Sequence, residues 1–132
     1  MEGWNHKDEW KKSGDNFLVV VSRHSAMADD FTGPNRWAVY AYIYPKHALF
    51  SKFDGPDLWQ PTTTVMPLHA GCSYLRYHED KGIITSVQVG CDYNHLHDEA
   101  FSYCATPEDA GDVFFDAERL FEFLTLNKEK QK

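Results

Sequence analysis

The chain reads as an α+β domain in which an antiparallel sheet of about four strands carries one long C-terminal helix packed on one face. Two kinds of apolar pattern predict it. Four stretches before residue 92 are β-branched, aromatic or strictly alternating, and one stretch after residue 106 repeats its apolar residues at helical spacing. With 132 residues, 42% apolar and 15% aromatic, the chain is long enough for one core and too short for two. The expected division is a polar N-terminal arm over 1–16, a single α+β domain over 17–126 and a solvated tail over 127–132.

The arm has Trp4 and Trp10 as its only large apolar groups, and its pattern fits a short helix or a loose arm equally. Phe17-Leu-Val-Val-Val-Ser22 follows as a buried strand. Met27–Asn35, with Asp29-Asp30 and Gly33-Pro34-Asn35, is a loop. In Arg36–Tyr44 the odd positions Trp37, Val39, Ala41 and Ile43 face one side and Tyr40, Tyr42 and Tyr44 the other. Both faces are apolar or aromatic, which marks a central strand, and Pro45 ends it.

Lys46–Phe53 fits one or two helical turns with Leu49, Phe50 and Phe53 on one side, while Gly55-Pro56, Pro61 and Pro67 break anything longer. A connection of this length is either a binding loop or a variable surface insertion. Cys72–Glu79 and Ile83–Cys91 then form a hairpin through Asp80-Lys81-Gly82, a three-residue turn in which Gly82 supplies the positive φ. Thr106-Pro107-Glu108-Asp109 starts the final helix, with Thr106 as N-cap and Pro107 at the first helical position. Ala110, Val113, Phe114, Ala117, Leu120, Phe121 and Leu124 make its core-facing side.

Charge and cysteine content narrow the function classes. Twenty acidic against 13 basic residues leave a net charge of −7, which argues against direct binding to DNA. No apolar run approaches the roughly 18 residues of a membrane span, and Met1–His6 has neither the basic start nor the apolar core of a secretory leader. Cys72, Cys91 and Cys104 match no zinc-finger spacing and read as reduced, mostly buried thiols in a cytoplasmic setting.

The hairpin predicts the main site. With its turn centred on Lys81, Gly71 comes opposite Cys91 and His69 opposite roughly Tyr93. The open end therefore brings His69-Ala70-Gly71 beside Gly90-Cys91-Asp92-Tyr93-Asn94-His95, and two glycines there suggest close backbone approach or a ligand against the strands. His69, Asp92, His95 and Asp98 are an imidazole and carboxylate set suited to a divalent metal such as zinc, or to acid–base work. As an enzyme site, His69, Asp92 and His95 are its catalytic candidates. As a binding site it comprises His47, His69, Gly71, Asp92, Tyr93, His95 and Asp98. His47 follows the end of the Arg36–Tyr44 strand. It reaches this edge if that strand is parallel to Ile83–Cys91 and the opposite edge if antiparallel.

Tyr44-Pro45-Lys46-His47, His69-Ala70-Gly71 with Ser73-Tyr74, and Gly90-Cys91-Asp92-Tyr93-Asn94-His95-Leu96-His97-Asp98 resemble a family of small phage and prophage proteins. That family tends to carry a proline-then-histidine segment, an H-G-G-x-[ST]-Y segment and a G-F-D-x-x-H-x-G-D segment in this order. The likeness spans roughly Trp37–Asp98, with Ala70, Cys91 and His97 departing from the pattern. It implies a phage-borne accessory protein acting in the host cytoplasm, and it carries over His47, His69, Gly71, Asp92, His95 and Asp98.

Two function classes follow. The first is an anti-defence inhibitor that binds a host defence protein or a nucleotide second messenger. Tyr40, Tyr42, Tyr44, Trp59, Tyr74 and Tyr93 are available to stack on bases, and Arg36, Lys46, Lys52 and Arg76 are available for phosphates. Nine carboxylates within Asp92–Glu122, opposed only by Arg119, suit a basic surface on a partner. The second is a small metal- or His/Asp-dependent hydrolase or phosphodiesterase built on His69, Asp92, His95 and Asp98.

Overall fold

The computed structural model describes residues 4–6, 8–25, 35–93, 104 and 106–127. They form an α+β fold around one antiparallel sheet. Its strands are β1 (Asn5–His6), β2 (Glu9–Gly14), β3 (Phe17–Ser25), β4 (Asn35–Ile43), β5 (Tyr74–Asp80) and β6 (Ile83–Asp92), in the spatial order β1-β2-β3-β4-β6-β5. Between β4 and β5 lie a single 3₁₀ turn at Phe50–Lys52 and a short helix, α1 (Pro61–Thr64). The long C-terminal helix, α2 (Gly111–Leu126), packs on one face against β3 and β4.

The sheet is wider than the expected four strands because the polar N-terminal segment joins it. β2 pairs with β3 from Glu9↔Ser22 to Gly14↔Phe17, and its alternation is hard to see because Glu9, Lys11 and Ser13 face outward. On the inner side Trp10 is buried, stacked on Trp37 at 5.5 Å and met edge-on by Phe114 of α2 at 5.4 Å. Such aromatic pairs add about 0.5–1.5 kcal/mol each beyond burial. Lys12 shares that side, laying its ammonium 4.5 Å from the Phe121 ring centroid and 3.3 Å from Glu118. A lysine is tolerated over the core because its stem packs while its head reaches solvent.

The hairpin β5–β6 differs from expectation in one detail. Its turn has two residues, Lys81 (φ 54°) and Gly82 (φ 82°), both left-handed as a type I′ turn requires. A register shift between His78 and Glu79 then leaves Tyr74, rather than Cys72, facing Gly90. α1 was hidden by Pro61, which does not break this helix but opens it, while the Gln60 N–H donates to Thr63 Oγ1 at 3.1 Å.

The apolar face of α2 is buried as its spacing predicts: Ala110, Val113, Phe114, Ala117, Leu120 and Leu124 all lie in the core, with Phe121 packed at its margin. The Thr106 cap is present, Asp109 N–H donating to its Oγ1 at 3.2 Å. It closes a turn, however, and the helix proper begins only at Gly111. Among the described residues no helix is long and apolar enough to cross a membrane. The loop 26–34 and the tail 128–132 lie outside the described residues.

Candidate functional site

At the open end of the hairpin, the chain before β5 leaves the strand path and folds back on β6. Ala70 (φ 57°) and Gly71 (φ 88°) take consecutive left-handed conformations, reversing the backbone so that His69 N–H donates to Cys91 Sγ at 3.3 Å. The His69 ring then stacks on Tyr93, with centroids 4.3 Å apart and planes 15° from parallel. Tyr93 is itself held from three directions. Its N–H donates to the Trp37 carbonyl at 3.0 Å, its ring is buried, and its hydroxyl donates to Asp116 Oδ2 on α2 at 2.5 Å. The unit assembled here is therefore His69–Tyr93–Asp116, and Asp116 is the member that spacing did not single out.

Asp92 is adjacent in sequence but not in orientation. It ends β6 opposite Ala38, and the pleat sends its side chain to the face opposite Cys91 and Tyr93. Its backbone N–H donates to Ser73 Oγ at 3.2 Å. Of the metal set His69, Asp92, His95 and Asp98, only the first two are described, and they point to opposite faces; His95 and Asp98 lie outside the described residues. Among the described residues no three His, Cys, Asp or Glu side chains converge as a metal site would. Burial pushes the Cys91 thiol up to about 12, so it is a packing group and not a thiolate at neutral pH. The Cys72 thiol is raised by burial too.

His47 lies at the other end of the sheet. β4 runs antiparallel to β6, so the chain after Ile43 emerges beside Val87, far from Asp92. The His47 ring is buried, its Nδ1 accepts from Leu49 N–H at 3.1 Å, and its Nε2 lies 2.9 Å from the Leu124 carbonyl. The Nδ1 acceptor role leaves the proton on Nε2, which donates to the last turn of α2. Burial holds its pKa below the usual histidine value, partly offset by the Leu124 bond. This is a clasp between the β4 exit and α2, which removes His47 from the hairpin site. The two glycines also have packing reasons. A Cβ on Gly90 would meet the Val39 carbonyl at 2.3 Å and the Tyr40 ring at 2.6 Å, whereas Gly71 needs its positive φ and lies against Trp59.

The face of the sheet away from α2 carries a second constellation. Pairing across β4, β6 and β5 sets Tyr40, Gly90 and Tyr74 in one row and Tyr42, Gln88 and Arg76 in the next. Tyr40 and Tyr74 meet edge-on at 5.3 Å, and Tyr42 stacks with His78 at 5.7 Å. His78 Nε2 and Gln88 Oε1 are 2.7 Å apart. Burial raises the Tyr40 hydroxyl pKa, helped by Tyr74 and Asp92, and burial also raises that of Tyr42, helped by Glu9.

The outer side of α2 is a third. Phe115, Arg119, Glu122 and Leu126 follow one another at i, i+4, i+7 and i+11, a single exposed stripe. Phe115 is 62% and Leu126 76% exposed. Beside Leu126, a groove of about 330 Å³ runs between the helix and the chain at Val65 and Pro67, floored by Phe123. A cleft of about 280 Å³ lies on the other side of the same loop, between Trp59, Met66, Leu68 and Gly71. No family model matches the chain, and neither a curated protein nor a solved structure shows significant similarity to it.

Proposed function

We propose that the protein acts by binding, as a phage-encoded counter-defence inhibitor that covers a basic surface of a host defence protein with the outer side of α2. One observation carries this reading: two exposed apolar residues, Phe115 and Leu126, lie on one stripe of a helix whose exposed charges are mainly acidic. Asp112 lies one turn before Phe115 and Glu122 one turn before Leu126, Glu108 and Asp109 precede the helix, and Arg119 is the one cation of the helix. Glu118 is engaged by Lys12 and by the Trp4 indole N–H, at 3.3 and 2.7 Å, and Asp116 by Tyr93, so both already have partners within the chain. Apolar anchors supply affinity in such a surface, and the carboxylates supply orientation and on-rate toward a basic partner. The phage origin rests on the sequence resemblance alone.

A hydrolase centred on His69, Asp92 and His95 is less well supported. His69 is committed to its stack on Tyr93, and Asp92 faces the other way. The test is capture of the host partner, its identification, and titration of the purified pair. The double substitution Phe115→Asp and Leu126→Asp should leave the melting temperature unchanged and weaken binding at least about 30-fold, as hot-spot losses do. Charge reversal by Asp112→Lys and Glu122→Lys should slow association and flatten its salt dependence. A partner bound equally well by both double variants would refute the reading.

A further inference from the structure

We propose that the tyrosine-lined face of the sheet is a second site, distinct from α2, which binds a nucleoside monophosphate. Tyr42 and Tyr74 offer half-buried ring faces anchored in the two adjoining rows, with Tyr40 locked against Tyr74. Half-buried, pre-positioned rings are suited to stacking on a planar base, because little side-chain freedom remains to be lost. Arg76 lies between Tyr74 and His78 on the same side of β5 and is exposed. Among the described residues it makes no ion pair or hydrogen bond, so its planar fork is available to a phosphate.

The net charge of −7 is not spread evenly, and this face is close to neutral. On the described part of this face Lys11, Arg36 and Arg76 balance Glu9, Asp92 and the acidic end of β5 at Glu79-Asp80, whereas the carboxylates of α2 lie on the other side of the sheet. The cations also set the size of the ligand. Lys11 is paired with Glu9 at 3.6 Å, and Arg36 at the far end of β4 donates to the Asn35 carbonyl at 3.3 Å. That leaves one uncommitted guanidinium beside the rings, enough for one phosphate. A single strand of nucleic acid would need a track of cations, which this face lacks.

The test uses the full chain and amide-shift titration by NMR with four probes: adenosine monophosphate, adenosine, ribose 5-phosphate and a ten-residue oligodeoxyadenylate. Adenosine monophosphate should shift the amides of β4, β6 and β5 saturably. Adenosine and ribose 5-phosphate should each bind at least about tenfold more weakly, since each keeps half of the contact. Arg76→Ala should lower monophosphate affinity to that of adenosine, and Tyr42→Leu should lower both. Phe115→Asp with Leu126→Asp should leave nucleotide binding unchanged, which separates this site from the α2 surface. No saturable shift at millimolar monophosphate, shifts confined to other elements, or an Arg76→Ala variant equal to wild type would each overturn the proposal. So would an oligodeoxyadenylate that binds far more tightly than the monophosphate with a steep salt dependence.

Discussion

The His69 ring rests on the Tyr93 ring, 4.3 Å between centroids, and Tyr93 in turn bonds Asp116 across the core boundary to α2. The stack ties the loop before β5 to the end of β6, and the hydroxyl bond ties both to the helix. Removing the hydroxyl tests which tie matters more. Tyr93→Phe keeps the ring and the stack but deprives Asp116 of its donor. Hydrogen bonds to charged groups are worth about 1.5–3 kcal/mol, so the variant should lose about that much unfolding free energy in urea. His69→Ala, which removes the ring stack at a half-buried position, should cost about 1 kcal/mol.

His47 should make the fold sensitive to mild acid. Burial holds its folded pKa below the unfolded value of 6.5, so the unfolded chain takes up the proton first. Its contribution is complete above about pH 6.5 and is lost as pH falls from there toward the folded pKa, below which no further loss from this group occurs. His47→Ala should cost about 2–4 kcal/mol at neutral pH, by leaving the Leu124 carbonyl and Leu49 N–H without partners and opening a small cavity. Urea midpoints of wild type and variant at pH 7.5 and 5.5 check both parts. The acid-dependent step should be smaller in the variant.

Gly90 is the position where one methyl group is least tolerable. The added Cβ would press on the Val39 carbonyl, which is backbone of a central strand, as well as on Tyr40. Gly90→Ala should therefore destabilise by about 2 kcal/mol or more, with a lower melting temperature as the readout. Gly82→Ala, whose Cβ meets nothing within 4 Å, should cost less, about 1 kcal/mol for its left-handed φ of 82°.

Patterns carried by neighbours in sequence were legible without coordinates. The hairpin announced itself through alternation and Gly82, the long helix through its apolar spacing and Thr106-Pro107, and the meeting of His69 with Tyr93 through pairing outward from the turn. That meeting survived a register different from the expected one, because Ala70 and Gly71 fold the chain back instead of extending the strand. Trp10 was harder: its strand is edge-like and mostly polar, and only the opposite wall formed by Trp37 and Phe114 explains its burial.

Alternation within a strand is a local consequence of backbone geometry, so the amino-acid order alone settled which residues share a face: Tyr40 with Tyr42, Trp37 with Val39, Phe115 apart from Phe114. Relative strand direction and the crossing of α2 depend on contacts between residues far apart in the chain, and no local preference encodes them. Folding therefore decided that His47 clasps the helix end instead of joining His69, that Asp92 turns away from it, and that Asp116 takes up the Tyr93 hydroxyl.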